Sequence, residues 1–270
     1  MKKIIGLFIA TTMSIGLISQ VQAHSRWLLP SHYNMSSEKG LWLMADATAS
    51  NEVFNIDKAL SIDVLRILTP KGKLDKPSSV YKGHRKSVID YFVADSGTYK
   101  LTNNYPASYR TRYKLNGKNK RLLASKAELT EKLPKGASDV STTLSYARVE
   151  TYVTMNNPSD NFGQDGTMLE LLPITHPSDI VEGEQAKFKF VFNGKAIAGV
   201  QVEIILEGVR YRNDPQVTSL VSNDKGEISF TPKSAGRYLL IAEFERTAKN
   251  QQLADLESSE VFLSFEAQLN

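Results

Sequence analysis

Short stretches of alternating apolar and polar residues, separated by turn-forming residues, recur along almost the whole chain. Residues 60–68 and 199–204 alternate with a period of two, which is the pattern of a strand with one buried face. A strand-like run at 187–192 ends at Asn193-Gly194, a strong signal for a hairpin. Strands at this spacing need a second sheet to cover their apolar faces, so the chain is predicted to be all-β and built from β-sandwiches.

The longest run of turn formers, residues 156–166, divides the chain into two halves. Each half contains a short strand followed by Gly-x-Tyr, at 97–99 and at 236–238. A tyrosine just after a tight turn often pins the corner between the two sheets of a sandwich. We therefore predict two tandem β-sandwich domains, at residues 24–160 and 167–270.

Residues 116–138 depart from this pattern, because they are rich in Lys, Leu and Ala. Ser125 and Glu128 have the spacing of a capping box, which marks the start of a helix. We predict a small helical insertion here, within the first domain.

Residues 1–23 have the pattern of a secretory signal peptide. Lys2 and Lys3 precede an apolar run at 4–18, and Val21 and Ala23 occupy the positions that a signal peptidase reads. Cleavage after Ala23 would make His24 the first residue of the mature protein. We expect a Sec-secreted, periplasmic protein that is not a lipoprotein, because no cysteine follows to carry a lipid.

Composition limits the chemistry of the mature chain. Without cysteine there is neither disulfide nor thiolate ligand, so metal ligands must be imidazole, amine, carboxylate or thioether groups. The formal net charge of +4 falls to about +2 when Lys2 and Lys3 are removed, and no nucleic-acid partner is expected. No later apolar run reaches the roughly 20 residues of a membrane span, so the mature chain is not expected to be membrane-embedded.

Three strings of residues carry a resemblance to known proteins. They are Ala23-His24-x-x-Trp27-Leu28-x-Pro30, Leu172-Pro173-x-Thr175-His176-Pro177-x-Asp179-Ile180-Val181-x-Gly183-Glu184 and Asn193-Gly194-Lys195-x-x-x-Gly199-Val200. All three resemble the DUF4198 family. Members of this family include the periplasmic accessory component of nickel and cobalt uptake systems of the energy-coupling-factor type. Others resemble soluble proteins encoded with outer-membrane metal-uptake receptors.

The resemblance implies both a fold and a function. The fold would be Ig-like or transthyretin-like sandwiches. The function would be extracytoplasmic handling of a divalent transition metal, with a membrane metal transporter or an outer-membrane receptor as partner. His24 is the residue that carries over as a metal ligand.

A first-residue histidine is a chelate for nickel, cobalt or copper. At neutral pH an α-amine holds its proton only modestly, and the amine and imidazole Nδ1 can close a six-membered ring around a metal. A third nitrogen, from another histidine, would complete a T-shaped site of three nitrogens, the geometry that Cu(II) favours. Ni(II) also suits nitrogen-rich tetragonal ligation. His84, His176 and His32 are the candidates for that ligand.

For each of these three histidines there is also an argument against a role as a metal ligand. His32 lies about 26 Å from His24 along a straight strand, at roughly 3.3 Å per residue. His84 is followed by two cationic residues that would repel a metal ion. His176 lies between the domains, where hydrogen bonding to the backbone is the common role of a histidine. Asp46 and Glu52 could add an oxygen ligand or simply be solvated.

We predict a metal-binding or metal-delivery protein that supports metal uptake, and not an enzyme. The chain has no Gly-x-Ser-x-Gly, phosphate loop or His-Glu-x-x-His. One alternative is a structural or interaction Ig-like module that binds no metal. The other is a copper-dependent polysaccharide monooxygenase, a class that also uses a first-residue histidine on a β-sandwich, with Trp27 and Trp42 as a sugar platform.

Overall fold

The computed structural model describes residues 24–270. The signal-peptide prediction concerns residues 1–23 and lies outside the described residues. Strands make up most of the described chain, which confirms the all-β prediction. Among residues 24–270, no helix combines the length and the apolarity that crossing a membrane needs.

The strands form three sheets, which we name by position. The N-terminal sheet contains β1 (Ser25–Pro30), β3 (Leu41–Ser50), β4 (Lys58–Ala59), β7 (Ser79–Lys82) and β8 (Ser87–Val93). The central sheet contains β2 (Asn34–Met35), β5 (Leu65–Leu68), β6 (Leu74–Asp75), β9 (Gly97–Leu115), β10 (Lys118–Leu122), β11 (Ser138–Met155), β15 (Gln201–Leu206), β16 (Thr218–Val221), β18 (Gly236–Thr247) and β19 (Leu256–Ala267). The C-terminal sheet contains β12 (Leu169–Pro173), β13 (Ala186–Phe192), β14 (Lys195–Ala196) and β17 (Glu227–Phe230).

The central sheet joins the two halves of the chain. Its strand order is β16-β15-β18-β19-β11-β9-β5-β6, with β10 beside β9 and β2 beside β11. The junction is the parallel pairing of β11 with β19, which runs from Thr143 beside Leu256 to Thr151 beside Ser264. The predicted boundary at 156–166 is the loop between β11 and β12, but the sheet itself continues across both halves.

A separate apolar core lies on each face of the central sheet. Val149 and Leu239 belong to the core beneath the N-terminal sheet, whereas Leu240 and Leu263 belong to the core beneath the C-terminal sheet. Alternate residues of one strand point to opposite faces, so β18 and β19 contribute to both cores. The result is two sandwiches that share their middle layer.

The two Gly-x-Tyr repeats form matching corners, as the sequence predicts. The hydroxyl of Tyr99 donates to the carbonyl of Asp95 at 3.0 Å, and that of Tyr238 donates to the carbonyl of Ser234 at 2.7 Å. Gly97 and Gly236 have φ of 134° and 140°, a region that suits glycine. At Gly97 a Cβ atom would also lie 2.4 Å from Pro70, so this corner tolerates no side chain.

The segment predicted as a helical insertion, residues 116–138, is helical over a shorter stretch. Asn116-Gly117 is the turn of the β9–β10 hairpin, and this turn chemistry outweighs the helical pattern that follows it. Helical structure is confined to a 3-10 turn at Lys126–Glu128 and to α1 (Leu129–Lys132). The expected cap is present, because the carboxylate of Glu128 accepts from the backbone N–H of Ser125 at 2.8 Å. Further 3-10 turns lie at Pro177–Asp179 and Val209–Tyr211.

Candidate metal centre

His24 lies at the open end of the N-terminal sheet. It directly precedes β1, whose first residue pairs with the last residue of β3, Ser50. Its side chain is half-buried, and its Nε2 lies 2.6 Å from the Nζ of Lys58. Lys58 reaches it from β4, which pairs with β3 opposite Ala49. The imidazole therefore has a lysine as its hydrogen-bond partner.

This contact with Lys58 selects one tautomer of His24. A lysine ammonium has three donors and no acceptor, so Nε2 must accept and the neutral ring carries its proton on Nδ1. A metal bound at Nδ1 would shift that proton to Nε2, where it would face the ammonium. Metal chelation by the amine and Nδ1 of His24 therefore requires Lys58 to move away.

His84 lies at the same end of the sheet, but cations separate it from His24. It is an exposed residue in the turn between β7 and β8. The hydroxyl of Thr48 donates to the carbonyls of both Lys58 and Arg85, at 2.8 and 3.0 Å, which places these two cationic residues side by side. Arg85 and Arg210 also line a nearby open cleft of about 560 Å³. A metal ion shared by the two histidines would therefore have these cationic residues as neighbours.

His32 lies at the opposite end of β1 from His24. It is exposed, and its Nδ1 lies 3.2 Å from the hydroxyl of Ser31. The six residues of β1 separate the two histidines, which is about 20 Å at roughly 3.3 Å per residue. The structure does not bring these two side chains together.

His176 lies between the central and C-terminal sheets and has a partner at each ring nitrogen. Nδ1 accepts from the backbone N–H of Ser178 at 3.1 Å. Nε2 lies 3.0 Å from the hydroxyl of Thr98 and 3.3 Å from the carbonyl of Ser159. The ring also packs against Phe162, with centroids 5.5 Å apart. This is the geometry of a histidine that joins two sheets.

The candidate oxygen ligands are engaged elsewhere. Asp46 pairs with Lys86 at 2.8 Å, and Glu52 accepts from the side chain of Asn55 at 2.8 Å. Within residues 24–270, no three His, Cys, Asp or Glu side chains come close enough to hold a metal ion together. His24 thus offers at most an amine and one imidazole as ligands. Solvent or a partner protein would occupy the remaining coordination positions of the metal.

Two ion pairs that include buried side chains lie near His176. Lys100 and Glu150 form an ion pair at 2.9 Å, with side chains only 8% and 1% exposed. Beside them Arg148 makes a bidentate pair with Asp165, at 2.7 and 2.8 Å. Burial opposes the charge on Lys100, but the neighbouring carboxylate of Glu150 outweighs it and raises the lysine pKa. We call these residues together with His176 the seam.

The seam has no signal in local sequence, because its residues come from distant strands. Lys100 lies on β9, Glu150 on β11 and Asp165 in the loop before β12. Lys100 and Glu150 are long charged residues in the middle of strands, where the alternation predicts a face exposed to solvent.

The two tryptophans have different environments. Trp27 is 1% exposed and packs edge-on against Phe54, with centroids 5.5 Å apart. Trp42 is 62% exposed and packs against Phe92 at 5.4 Å with an interplanar angle of 58°. Met44 and Tyr81 are also exposed on this sheet. Trp42 with these neighbours forms an apolar strip, and Trp27 belongs to the core.

The fold and the position of His24 together define a two-sandwich β protein with a half-buried histidine directly before its first strand. The chain belongs to the DUF4198 family, a domain of unknown function, whose model matches residues 21–246. A search of curated proteins found no significant match.

Solved structures similar to this chain include intimin, a bacterial adhesin and an alpha-2-macroglobulin. The D0-D1 domain of intimin is 9% identical, with 89% of this chain and 97% of that chain covered and a TM-score of 0.23. The Yersinia pseudotuberculosis adhesin InvE is 10% identical, with 90% and 60% covered and a TM-score of 0.23. Trypsin-activated alpha-2-macroglobulin from Escherichia coli is 12% identical, with 88% and 23% covered and a TM-score of 0.20. TM-scores this low support no conclusion about this chain.

Proposed function

We propose that the mature protein is an extracytoplasmic metal-binding and delivery protein that supports uptake of nickel, cobalt or copper. The α-amine and Nδ1 of His24 chelate the metal after cleavage behind Ala23. The observation that carries the proposal is the position of His24, which is half-buried at an open sheet end with a single, flexible side-chain partner, Lys58.

An incomplete ligand set suits delivery better than storage. A two-nitrogen chelate leaves coordination positions for water or for a receiving protein, so the metal can be passed on by ligand exchange. Lys58 strengthens this argument, because it competes for His24 and returns to Nε2 when the metal leaves. The partner in this proposal is a membrane metal transporter or an outer-membrane metal receptor.

The test is a calorimetric titration of the mature protein with Cu(II), Ni(II) and Co(II). His24→Ala should weaken binding by about 100-fold, or about 2.8 kcal/mol at 1.4 kcal/mol per tenfold. His32→Ala removes a similar exposed imidazole and should leave affinity unchanged. Equal affinities for all three proteins would contradict the proposal.

The alternative function is a binding module that uses the apolar strip. Exposed, contiguous apolar side chains mark interaction sites, and Trp42 with Phe92, Met44 and Tyr81 forms such a strip beside the edge strand β7. If this alternative holds, metals bind no more tightly than to a generic surface histidine. Oxygen-dependent cleavage of a polysaccharide by the copper-loaded protein would instead support the monooxygenase, which no feature of residues 24–270 specifically favours.

A further inference from the structure

One face of the central sheet is covered by the N-terminal sheet over only part of its length. Val149 and Ala147 lie buried on this face of β11. Thr143 lies on the same face, because residues an even number apart along a strand share a face. Side chains opposite these residues on neighbouring strands also belong to this face, and beyond the cover of the N-terminal sheet many of them are charged.

A basic patch occupies one side of the uncovered face. Arg110 pairs with Thr143, Arg112 with Ser141, and Arg121 of β10 with Arg112. All three arginines are exposed. Lys114, on the same face of β9, completes the patch, and within the described chain it alone among the four forms an ion pair, with Asp139 at 2.7 Å.

This patch belongs to a strongly basic segment of the chain. Residues 105–140 contain nine Lys and Arg against three Asp and Glu, whereas the whole chain has a net charge of only +4. Residues 66–86 are basic as well, with seven Lys and Arg against one Asp, so this segment is one of two that carry most of the positive charge.

An acidic patch occupies the other side of the same face. Glu260 of β19 pairs with Ala147 of β11 and with Glu243 of β18. Glu245 follows on β18, and Glu203 lies on the adjacent strand β15. Like charges directly opposite each other destabilise a strand pair. The pKa of Glu243 is raised mainly by its partial burial, and further by the negative charges of Glu260, Glu203 and Glu245.

Little within the chain neutralises the acidic patch. Arg26 approaches Glu260 at 3.7 Å, but within residues 24–270 no cation pairs with Glu243 or Glu245. The patch therefore carries repulsion that an external cationic surface would relieve.

The two patches are separated by short hydroxyl side chains. Ser258 of β19 lies opposite Glu245 and beside Ser145 of β11, and Ser145 lies opposite Ser108 of β9. Five or six strands about 4.8 Å apart, with four or five same-face rows about 6.8 Å apart, give a face of roughly 800 Å². This matches the ~800 Å² per partner of a stable interface. Its small central side chains allow close approach of another surface.

We propose that this face is a self-association surface that binds a second copy of this chain. A two-fold axis lying in the interface between the two patches sets the acidic patch of each copy against the basic patch of the other. The same attractive contact is then made twice, as an isologous dimer requires. An anionic membrane or a nucleic acid fits this face less well, because the acidic patch would repel it. The proposal is independent of His24.

The test is a charge swap followed by sedimentation. One variant, Arg110→Glu with Arg112→Glu and Arg121→Glu, makes both patches acidic. Another, Glu203→Lys with Glu243→Lys and Glu245→Lys, makes both basic. Wild-type protein should dimerise at low salt and dissociate as salt screens the contact. Each variant alone should dimerise about 100-fold more weakly or worse. An equimolar mixture of the two variants should dimerise again, because both contacts then join opposite charges.

The mixture also distinguishes loss of the dimer contact from misfolding of the variants, because two misfolded variants could not restore dimerisation when mixed. A matched reversal on exposed lysines outside this face, Lys195→Glu with Lys233→Glu, should leave dimerisation unchanged. Wild-type protein that remains monomeric at about 1 mM, variants that dimerise alone, or a mixture that stays monomeric would each overturn the proposal. Binding of the wild type to vesicles of anionic phospholipid in place of dimerisation would assign the basic patch to a membrane instead.

Discussion

His176 and His24 are both hydrogen-bonded histidines next to a strand, but they differ in how their rings are held. The ring of His176 has partners at both nitrogens and packs against Phe162 between two sheets. The ring of His24 has one side-chain partner, the flexible Lys58, at an open sheet end. A ring with every polar atom satisfied contributes to the fold. A ring that can exchange its partner can bind a ligand.

The environments of the two rings differ in the same way. Around His176, the seam holds charged side chains in buried pairs, such as Lys100 with Glu150. Around His24, the ammonium of Lys58 contacts the imidazole, and the guanidinium of Arg85 donates to the backbone carbonyl of Ile56. Changes in the seam should therefore alter stability, and changes at the His24 end should alter binding.

The largest effect is expected from Lys100→Met in the seam. This change leaves the carboxylate of Glu150, whose side chain is 1% exposed, without its ion-pair partner. Removing one partner of a buried pair costs about 3–5 kcal/mol of unfolding free energy. Urea denaturation measures it, and the double variant Lys100→Met with Glu150→Met should recover much of the loss. A single variant as stable as the wild type would show that the pair is not buried in solution.

A smaller loss of stability is expected from His176→Ala. The change removes the hydrogen bonds to Thr98 and Ser178 and the packing against Phe162, at a cost of about 1–3 kcal/mol. His84→Ala, at an exposed turn position, is the matched control and should change stability by less than about 0.5 kcal/mol. Metal affinity should be the same in both variants. A fall in affinity for His176→Ala would move the site into the seam.

The sequence predicts those features that are formed by residues close together along the chain. The corner at Tyr99 and the hairpin at Asn193-Gly194 are formed by neighbouring residues, and both follow from the sequence. The sharing of the central sheet does not, because β11 and β19 meet through residues such as Thr151 and Ser264, 113 positions apart. The continuous apolar run around Phe262 was the available signal, since a strand buried on both faces reads in this way.

The candidate site shows the same limit. His24 can be singled out from the sequence alone, because its chemistry depends on a cut at one position. Its contact with Lys58 could not be predicted, since the lysine lies 34 residues away on a two-residue strand. The full set of bonds to His176 likewise depends on how the loop at 156–166 folds against β9.

The smallest effect is expected from a substitution next to His24, and it is a gain in metal affinity. Lys58→Met removes the ammonium that competes for the ring of His24, so affinity of the mature protein for Cu(II) should rise by about tenfold, or 1.4 kcal/mol. Lys82→Met is the matched control, because Lys82 is an exposed lysine of the same sheet that pairs with Asp63 instead. Equal affinities in the two variants would show that Lys58 does not hold His24 in solution.

The central claim is that the metal is held by the α-amine of His24 together with its ring, and one measurement tests it directly. Two forms are titrated with Cu(II): mature protein that begins at His24, and the same protein with one additional methionine before His24. In the second form the α-nitrogen of His24 becomes an amide and the free amine belongs to the added methionine. The six-membered chelate of amine and Nδ1 is thereby lost, and both forms should fold alike. The account predicts that the extended form binds about 10- to 100-fold more weakly. Equal affinity of the two forms would contradict it.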